Sequence, residues 1–208
     1  MYPRRLASRL FVAAFVIGAL VAYGCGGSDG SSLGGSFTAS STPQSPGLVK
    51  LVQKSKSGSH VVVSAVIYGP LPAVDMYSFA FDIAIGDPTV ARFVTTSETA
   101  GGALVASGGQ TISVVADLAT LPGGGDDNSR VVVGITKTGG GAGNGFASAT
   151  AVIVNLTFAL QKEGTTALAI AGSPAPEALD SNGAPIGAIT FDTASATVRG
   201  VSGGGGGY

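Results

Sequence analysis

The fold is decided by the stretch Ser78-Phe-Ala-Phe-Asp-Ile-Ala-Ile85, in which large apolar side chains alternate with small or polar ones. Successive side chains of a β-strand point to opposite sides of a sheet, so this alternation predicts a half-buried strand. The side predicted to face the core consists of Phe79, Phe81, Ile83 and Ile85. The outward side consists of Ser78, Ala80, Asp82 and Ala84. Small outward side chains with one acid favour a flat surface that another molecule can approach.

Short apolar and β-branched stretches of this kind recur along the chain, separated by clusters of Gly, Pro, Asp and Asn. The predicted strands are Leu48–Gln53, His60–Tyr68, Tyr77–Ile85, Ala91–Thr96, Thr111–Asp117, Arg130–Lys137, Thr150–Gln161, Thr166–Ala171 and Ile189–Val198. No stretch has a convincing helical period. Many short strands with turn signals at this spacing predict an all-β sandwich or barrel.

The strand beginning at Thr150 contains a second clear alternation, Asn155-Leu-Thr-Phe-Ala-Leu160. Its period of two predicts that the three large side chains are buried, namely Leu156, Phe158 and Leu160. The same period turns three smaller side chains outward, namely Asn155, Thr157 and Ala159.

The N-terminus carries the signals of an exported protein. Residues 1–24 combine three arginines with an apolar run of 14 residues, Leu10 to Tyr23. A positive segment before a run of this length is typical of a secretory signal, and the run is shorter than the roughly 20 residues of a membrane-spanning helix. We therefore expect residues 1–24 to be a signal peptide and the protein to be exported.

Cys25, the only cysteine, follows the apolar run directly. Leu20-Val-Ala-Tyr-Gly-Cys25 resembles the lipobox of bacterial lipoproteins, in which the cysteine sulfur receives diacylglycerol and the cysteine becomes the N-terminus. The aliphatic and small residues usual at two of these positions are here Ala22 and Tyr23. The resemblance implies lipidation at Cys25, and Gly26 after it argues for an outer-membrane or cell-surface location. Ordinary secretion with an incidental free thiol is the alternative.

Residues 25–46 form the lipidated cysteine and a segment rich in Gly, Ser, Thr and Pro, whose composition predicts a flexible linker. Residues 47–201 have the composition of one folded domain of ordinary size, and residues 202–208 form a Gly-rich tail. Without the three signal arginines, eight of the eleven basic residues remain against twelve acidic ones, which gives a net charge of −4. With no basic run and no Trp, nucleic acid is not an expected partner.

Phe79-Ala-Phe-Asp-Ile-Ala-Ile85, followed by Asp87-Pro-Thr-Val90 and Phe93-Val94, is similar to the third-strand signature of cohesin domains. Three further features occur in the order found in cohesin domains. They are a first strand and hairpin from Val49 to Ile67, a Gly-rich loop before a strand ending in Leu-Thr-Phe158, and the segment Leu179 to Ile186 before the last strand. Gly86 is an insertion relative to the signature, and we expect a bulge at this strand end.

The resemblance implies a jelly-roll β-sandwich of about nine strands that binds a dockerin, the small calcium-loaded module of partner proteins. Calcium belongs to the partner. In the family the outward side of the third strand contacts the dockerin, which by position implies that Ala80, Asp82 and Ala84 bind the partner here. A solvated strand acid with no role is the alternative for Asp82.

The sequence does not suggest catalysis. His60 is the only histidine, so neither a His-assisted nucleophile nor a histidine-rich metal cluster can form. Asp126 and Asp127 are adjacent acids in a Gly-rich loop and do not form a glycosidase pair; with Asn128 they could ligate calcium, but a turn is favoured. The segment Asp180–Gly183 lacks the later ligands of a calcium loop and predicts a hairpin turn. We expect no enzyme activity, no cofactor and no metal site.

Two other function classes stay open. A carbohydrate-binding module would make polysaccharide a ligand, but such modules present a row of exposed aromatic residues, and none is visible here. A structural envelope lipoprotein would have the same sequence signals, because the partner is encoded elsewhere.

Overall fold

A computed structural model describes residues 33–202 of the chain. The predicted signal peptide, the predicted lipidation site Cys25, the first part of the predicted linker and the tail from residue 203 onward lie outside the described residues. None of the residues in the described range belongs to a helix with the length and apolar character needed to cross a membrane.

Residues 33–202 form fifteen β-strands and no α-helix. Ten strands have six or more residues: β1 (Leu33–Thr38), β2 (Leu48–Ser57), β3 (His60–Tyr68), β4 (Leu71–Met76), β5 (Ser78–Ile85), β8 (Thr111–Thr120), β9 (Asp126–Thr138), β11 (Thr150–Leu160), β12 (Gly164–Ile170) and β15 (Ala196–Ser202). Five have two or three residues: β6 (Ala91–Phe93), β7 (Thr99–Ala100), β10 (Asn144–Phe146), β13 (Glu177–Leu179) and β14 (Thr190–Phe191). The predicted all-β class is confirmed.

The strands are arranged in two main sheets that pack face to face as a jelly-roll sandwich. The seven-stranded sheet has the order β1-β15-β12-β5-β9-β8, and β13 pairs with the part of β5 that β12 leaves free. The six-stranded sheet has the order β14-β2-β3-β11-β6, and β7 pairs with β11 beyond β6. A small third sheet joins β4 and β10.

The core lies between the two main sheets, where the alternation of the sequence places the large side chains. All four residues predicted to face inward from β5 are buried, and so are the three predicted from β11: Phe79, Phe81, Ile83, Ile85, Leu156, Phe158 and Leu160. Two aromatic pairs pack there at ring-centroid distances of 5.9 Å, Phe81 with Phe191 and Phe93 with Phe158. The period-two interpretation of the inward sides is therefore confirmed.

The second half of the predicted flexible linker is folded, which corrects the boundary at residue 47. Residues 33–38 form β1, which pairs antiparallel with β15 from Leu33 opposite Ser202 to Thr38 opposite Thr197. A strand at a sheet edge needs backbone hydrogen bonds more than large side chains, so a Gly/Ser-rich composition does not prevent it. At Gly35 the missing side chain is required, because a Cβ atom would come within 2.7 Å of Val61 and 2.8 Å of Leu160.

The predicted last strand, Ile189–Val198, is divided between the two sheets. Residues 190–191 form β14 and pair in parallel with β2, whereas residues 196–202 form β15 beside β12. The intervening residues carry the chain from one sheet to the other. An apolar pattern on either side of Asp192 does not reveal this crossing, because both halves bury residues in the same core.

Asn155 occupies an outward position as predicted, but it is buried there, since Ser64 donates a hydrogen bond to its Oδ1 over 2.7 Å and its amide donates to Thr99. One local prediction is wrong, because the bulge expected at Gly86 is absent. Strand β5 keeps its register with β12 as far as Ile85, and the Gly86 amide continues the ladder by donating to the Ala167 carbonyl.

Candidate functional site

The outward side of β5 forms one surface with its neighbours β9, β8 and β13. On β9, Val132 lies beside Asp82 and Gly134 lies beside Ala80. On the other side of Ala80 lies Glu177 of β13. Strand β8 continues the surface, with Val115 beside Gly134. We call this surface the open face; it consists of Ala80, Asp82, Ala84, Val115, Asp117, Arg130, Val132, Gly134 and Glu177.

Most of the open face is small or apolar, and it is exposed. Ala80 and Ala84 lie on the surface as predicted. Val115 is 59% exposed and Val132 is 45% exposed, which is unusual for large apolar side chains in the middle of strands. Contiguous exposed apolar residues mark interaction surfaces more often than scattered ones do. The sequence did not single out these two valines, because each stands beside another valine and the run Val131-Val-Val133 has no alternation.

Asp82 lies on the outward side as predicted, but it is not a solvated acid. The residue is only 4% exposed. Its carboxylate forms an ion pair with Arg130, whose Nε donates to Oδ2 over 2.5 Å and whose Nη2 contacts the same oxygen. The Arg130 side chain is 35% exposed and lies over the acid. Nothing in the sequence links these two residues, which are 48 positions apart and meet through the pairing of β5 with β9.

A pocket of about 300 Å³ opens on this surface beside Asp82. It lies between β5, β9 and the loop of residues 171–176 that leads from β12 to β13, and the Ala171 amide ties this loop to the Asp82 carbonyl. Most of its lining is apolar, including Ala80, Val132 and Pro174. The two charged residues that line it, Asp82 and Glu177, are both acids.

The outer side of the six-stranded sheet has a different character. Its buried polar residues are satisfied by the chain itself: the Lys50 ammonium donates to the carbonyls of Ser40 and Thr42, each over 2.7 Å. The hydroxyls of Ser40 and Thr42 donate in turn to Asp192. We call Lys50, Ser40, Thr42 and Asp192 the latch, because together they hold residues 40–42 against β2.

Asp192 is the acid of the latch, and its pKa is lowered. Burial by itself raises the pKa, but hydrogen bonds from Ser40, Thr42 and the Ala194 amide, with the nearby Lys50 charge, outweigh it. The latch is therefore a charged structural cluster with its donors and acceptors paired within the molecule, and it leaves no group for a ligand.

The acidic turns give no metal site. Asp127 accepts hydrogen bonds from the amide and hydroxyl of Ser129, which lower its pKa. Asp180 accepts from the amides of Asn182 and Ala184 and closes the predicted turn. Within residues 33–202 no group of three His, Cys, Asp or Glu side chains could hold a metal ion. His60 is exposed at the first position of β3, apart from the open face.

A second buried lysine, besides Lys50, was not anticipated from the sequence. Lys137 on β9 is 2% exposed, and its ammonium lies 3.3 Å from the Ala142 carbonyl. Burial lowers its pKa, and the charge of Asp75 opposes this effect. Asp75 itself has a lowered pKa, chiefly through hydrogen bonds from Ser181. These residues fasten the loop after β9 to the end of the sandwich.

No protein-family model matches this chain, and no curated protein sequence matches it. Solved cohesin structures from Acetivibrio cellulolyticus are similar to it in fold. The type II cohesin dyad of the adaptor ScaA scaffoldin is 16% identical with a TM-score of 0.48, over 73% of this chain and 48% of the dyad. This chain thus spans about half the length of that structure.

Two single cohesins show the same likeness over nearly their whole length. A type II cohesin domain from the cellulosome is 16% identical with a TM-score of 0.45, over 74% of this chain and 95% of that domain. The sixth cohesin of scaffoldin B, solved in complex with a Cel5 dockerin mutant, is 16% identical with a TM-score of 0.44. The match covers 78% of this chain and 96% of that cohesin. The likeness concerns the fold alone.

Proposed function

We propose that the domain is a non-catalytic docking module that binds a dockerin-type partner through the open face. The observation that carries the proposal is the exposure of Val115 and Val132 beside Ala80 and Ala84 on a flat sheet surface. An interface centre is typically apolar and poor in free charge, and Asp82 is neutralised there by Arg130. On the outer side of the other sheet, the buried polar residues Lys50, Ser64 and Asn155 have their partners within the molecule.

The sequence resemblance supplies the class of partner. The strand that carries the cohesin-like signature, β5, is the strand that contributes Ala80, Asp82 and Ala84 to the open face. Calcium resides in the dockerin, so binding should need calcium even though this chain contributes no metal ligand. A role in polysaccharide degradation or cell-surface assembly would follow from the enzymes or structural proteins to which such dockerins are attached.

A binding measurement on a dockerin module from the source organism, with and without chelator, tests the proposal. We expect Val132→Asp to weaken binding at least about tenfold, because it places a charge at the apolar centre of the interface. Asp82→Ala should cost roughly 1–3 kcal/mol of binding free energy if the acid accepts a hydrogen bond from the partner. Calorimetry with each variant gives both values.

Val105→Asp is the matched control, because Val105 is 55% exposed but lies outside the open face. It should leave dockerin binding unchanged. Equal losses for Val105→Asp and Val132→Asp, or binding that persists in chelator, would contradict the proposal. Retention of the wild-type chain on a polysaccharide in place of a dockerin would favour a carbohydrate-binding module.

We further propose that the protein is exported and held by lipid on Cys25, at the outer membrane or the cell surface. The lipobox-like sequence before Cys25 supports this. Labelled palmitate should enter the wild-type protein and be lost in Cys25→Ser. Equal labelling of the two proteins would argue for ordinary secretion.

A further inference from the structure

We propose that the pocket beside Asp82 receives one basic side chain, arginine or lysine, from the docking partner. This inference rests on the proposed docking role of the open face and adds the chemistry that the partner must present. It also assigns a binding role to Glu177, which no sequence motif indicated.

The size and walls of the pocket suit a single long side chain. A volume of about 300 Å³ is at the lower limit of small-molecule pockets. Ala80, Val132 and Pro174 line it with apolar surface. Arginine and lysine place an aliphatic stem along such surface while their charged end reaches a polar group.

The acids of the pocket have acceptor capacity that the molecule does not use. Both contacts from Arg130 converge on Oδ2 of Asp82, and among residues 33–202 no hydrogen bond reaches Oδ1. The Asp82 side chain is only 6% exposed, so few waters can take the place of a donor. Glu177 is exposed and makes no ion pair within the same described range.

Charge balance selects a cation. Asp82, Arg130 and Glu177 together carry a net charge of −1, and the exposed Asp117 opposite Val132 is a further acid. In the register, Arg130 lies opposite Ala84, on the other side of Asp82 from Ala80 and Glu177. Ionised carboxylates accept hydrogen bonds and cannot donate them, so a ligand must supply the donors. A guanidinium or ammonium group supplies donors and cancels the remaining charge. An acidic or neutral side chain would leave one of the two carboxylates uncompensated.

The test uses two small ligands of nearly identical shape, N-acetyl-arginine amide and N-acetyl-citrulline amide, titrated into the ¹⁵N-labelled full chain in mild detergent. Citrulline keeps the stem and planar end group of arginine but has no charge. We expect saturable shifts of the Ala80, Val132 and Glu177 amide signals with the arginine ligand. The citrulline ligand should give little or no shift.

Glu177→Gln should raise the dissociation constant of the arginine ligand about threefold to fivefold, the amount expected for loss of one partly solvated ion pair. Glu163→Gln removes the same charge from an exposed residue before β12 and should leave the constant unchanged. The spectra also show that each variant keeps its fold.

Equal binding of both ligands would overturn the inference in favour of a purely apolar pocket, and the absence of shifts at these amides would overturn it outright. Because no dockerin is used, either result is independent of the dockerin test. A dockerin that binds while the arginine ligand does not would refute the pocket assignment and leave the docking module intact.

Discussion

The outer side of the six-stranded sheet and the open face of the seven-stranded sheet use their polar residues in different ways. On the six-stranded sheet, Lys50 and Asp192 are buried in the latch, where each has several partners within the chain. On the open face, Asp82 has one partner, Arg130, and an unused oxygen beside a pocket. The open face also exposes two large apolar side chains, Val115 and Val132.

This difference teaches how a sandwich with little surface charge separates stability from binding. Polar groups that are fully paired internally add specificity to the fold and offer nothing to a ligand. A surface with small side chains and one unused acceptor makes fewer contacts within the chain, so its groups remain available to a partner.

The largest effect on stability is expected from changes in the core between the two sheets, because both sheets pack against it. Phe158→Ala and Phe81→Ala should each lower the free energy of unfolding by about 3–5 kcal/mol, because each leaves a cavity among buried aromatic residues. Val132→Ala on the open face should change it by less than about 0.5 kcal/mol. Urea unfolding of the three variants measures this. A loss at Val132 equal to that at Phe81 would mean that the sides of the seven-stranded sheet are inverted.

The next effect compares the acids of the two outer sides directly. Asp192→Ala should cost about 2–3 kcal/mol, because it removes the acceptor of Ser40 and Thr42 and leaves the buried Lys50 without a nearby acid. Asp82→Ala should cost only about 1 kcal/mol, since Arg130 is partly exposed and regains water. Chemical unfolding of both variants in one buffer gives the ratio. A larger loss for Asp82 would remove the distinction between latch and open face.

The smallest effect is the pH dependence of the latch. The pKa of Asp192 is lower in the folded chain than its ordinary value, so its contribution to stability is complete above the ordinary aspartate pKa of about 4. The contribution is lost as the pH falls through that value toward the folded pKa. In Asp192→Asn, stability should therefore decline less between about pH 5 and pH 3 than in the wild type. Parallel stability curves for the two proteins would show that the latch does not depend on this charge.

The alternation in residues 78–85 and 155–160 was enough to predict the all-β class and the inward side chains of two central strands. It succeeded because the side-chain period of a strand is fixed at two and only one side of each sheet faces the core. The outward side chains were predicted less well. Asn155 and Asp82 both belong to outward positions, yet both are buried, because their partners Ser64, Thr99 and Arg130 come from distant parts of the chain.

The candidate site was predicted in part for the same reason. Ala80, Asp82 and Ala84 could be placed on one side of one strand, since that requires only local periodicity. Val132 and Glu177 join them through strand pairing, which depends on sequence separations of about 50 and about 95 residues and leaves no local signal. Strand β1 escaped prediction because its backbone pairs with β15, far away in the chain, and because Gly34, Gly35 and Ser36 interrupt its apolar pattern.

The sequence by itself determined that residues 47–201 are all-β, which side chains of two central strands face the core and which strand carries the cohesin-like signature. Only the tertiary structure decided that residues 33–38 form a strand beside β15, that the last predicted strand crosses between sheets, and that Asp82 pairs with Arg130 beside a pocket. The physical reason is the distance along the chain over which each feature is set. Burial alternates along a strand and is written in neighbouring residues, whereas register and charge pairing are fixed by contacts between strands far apart in the chain.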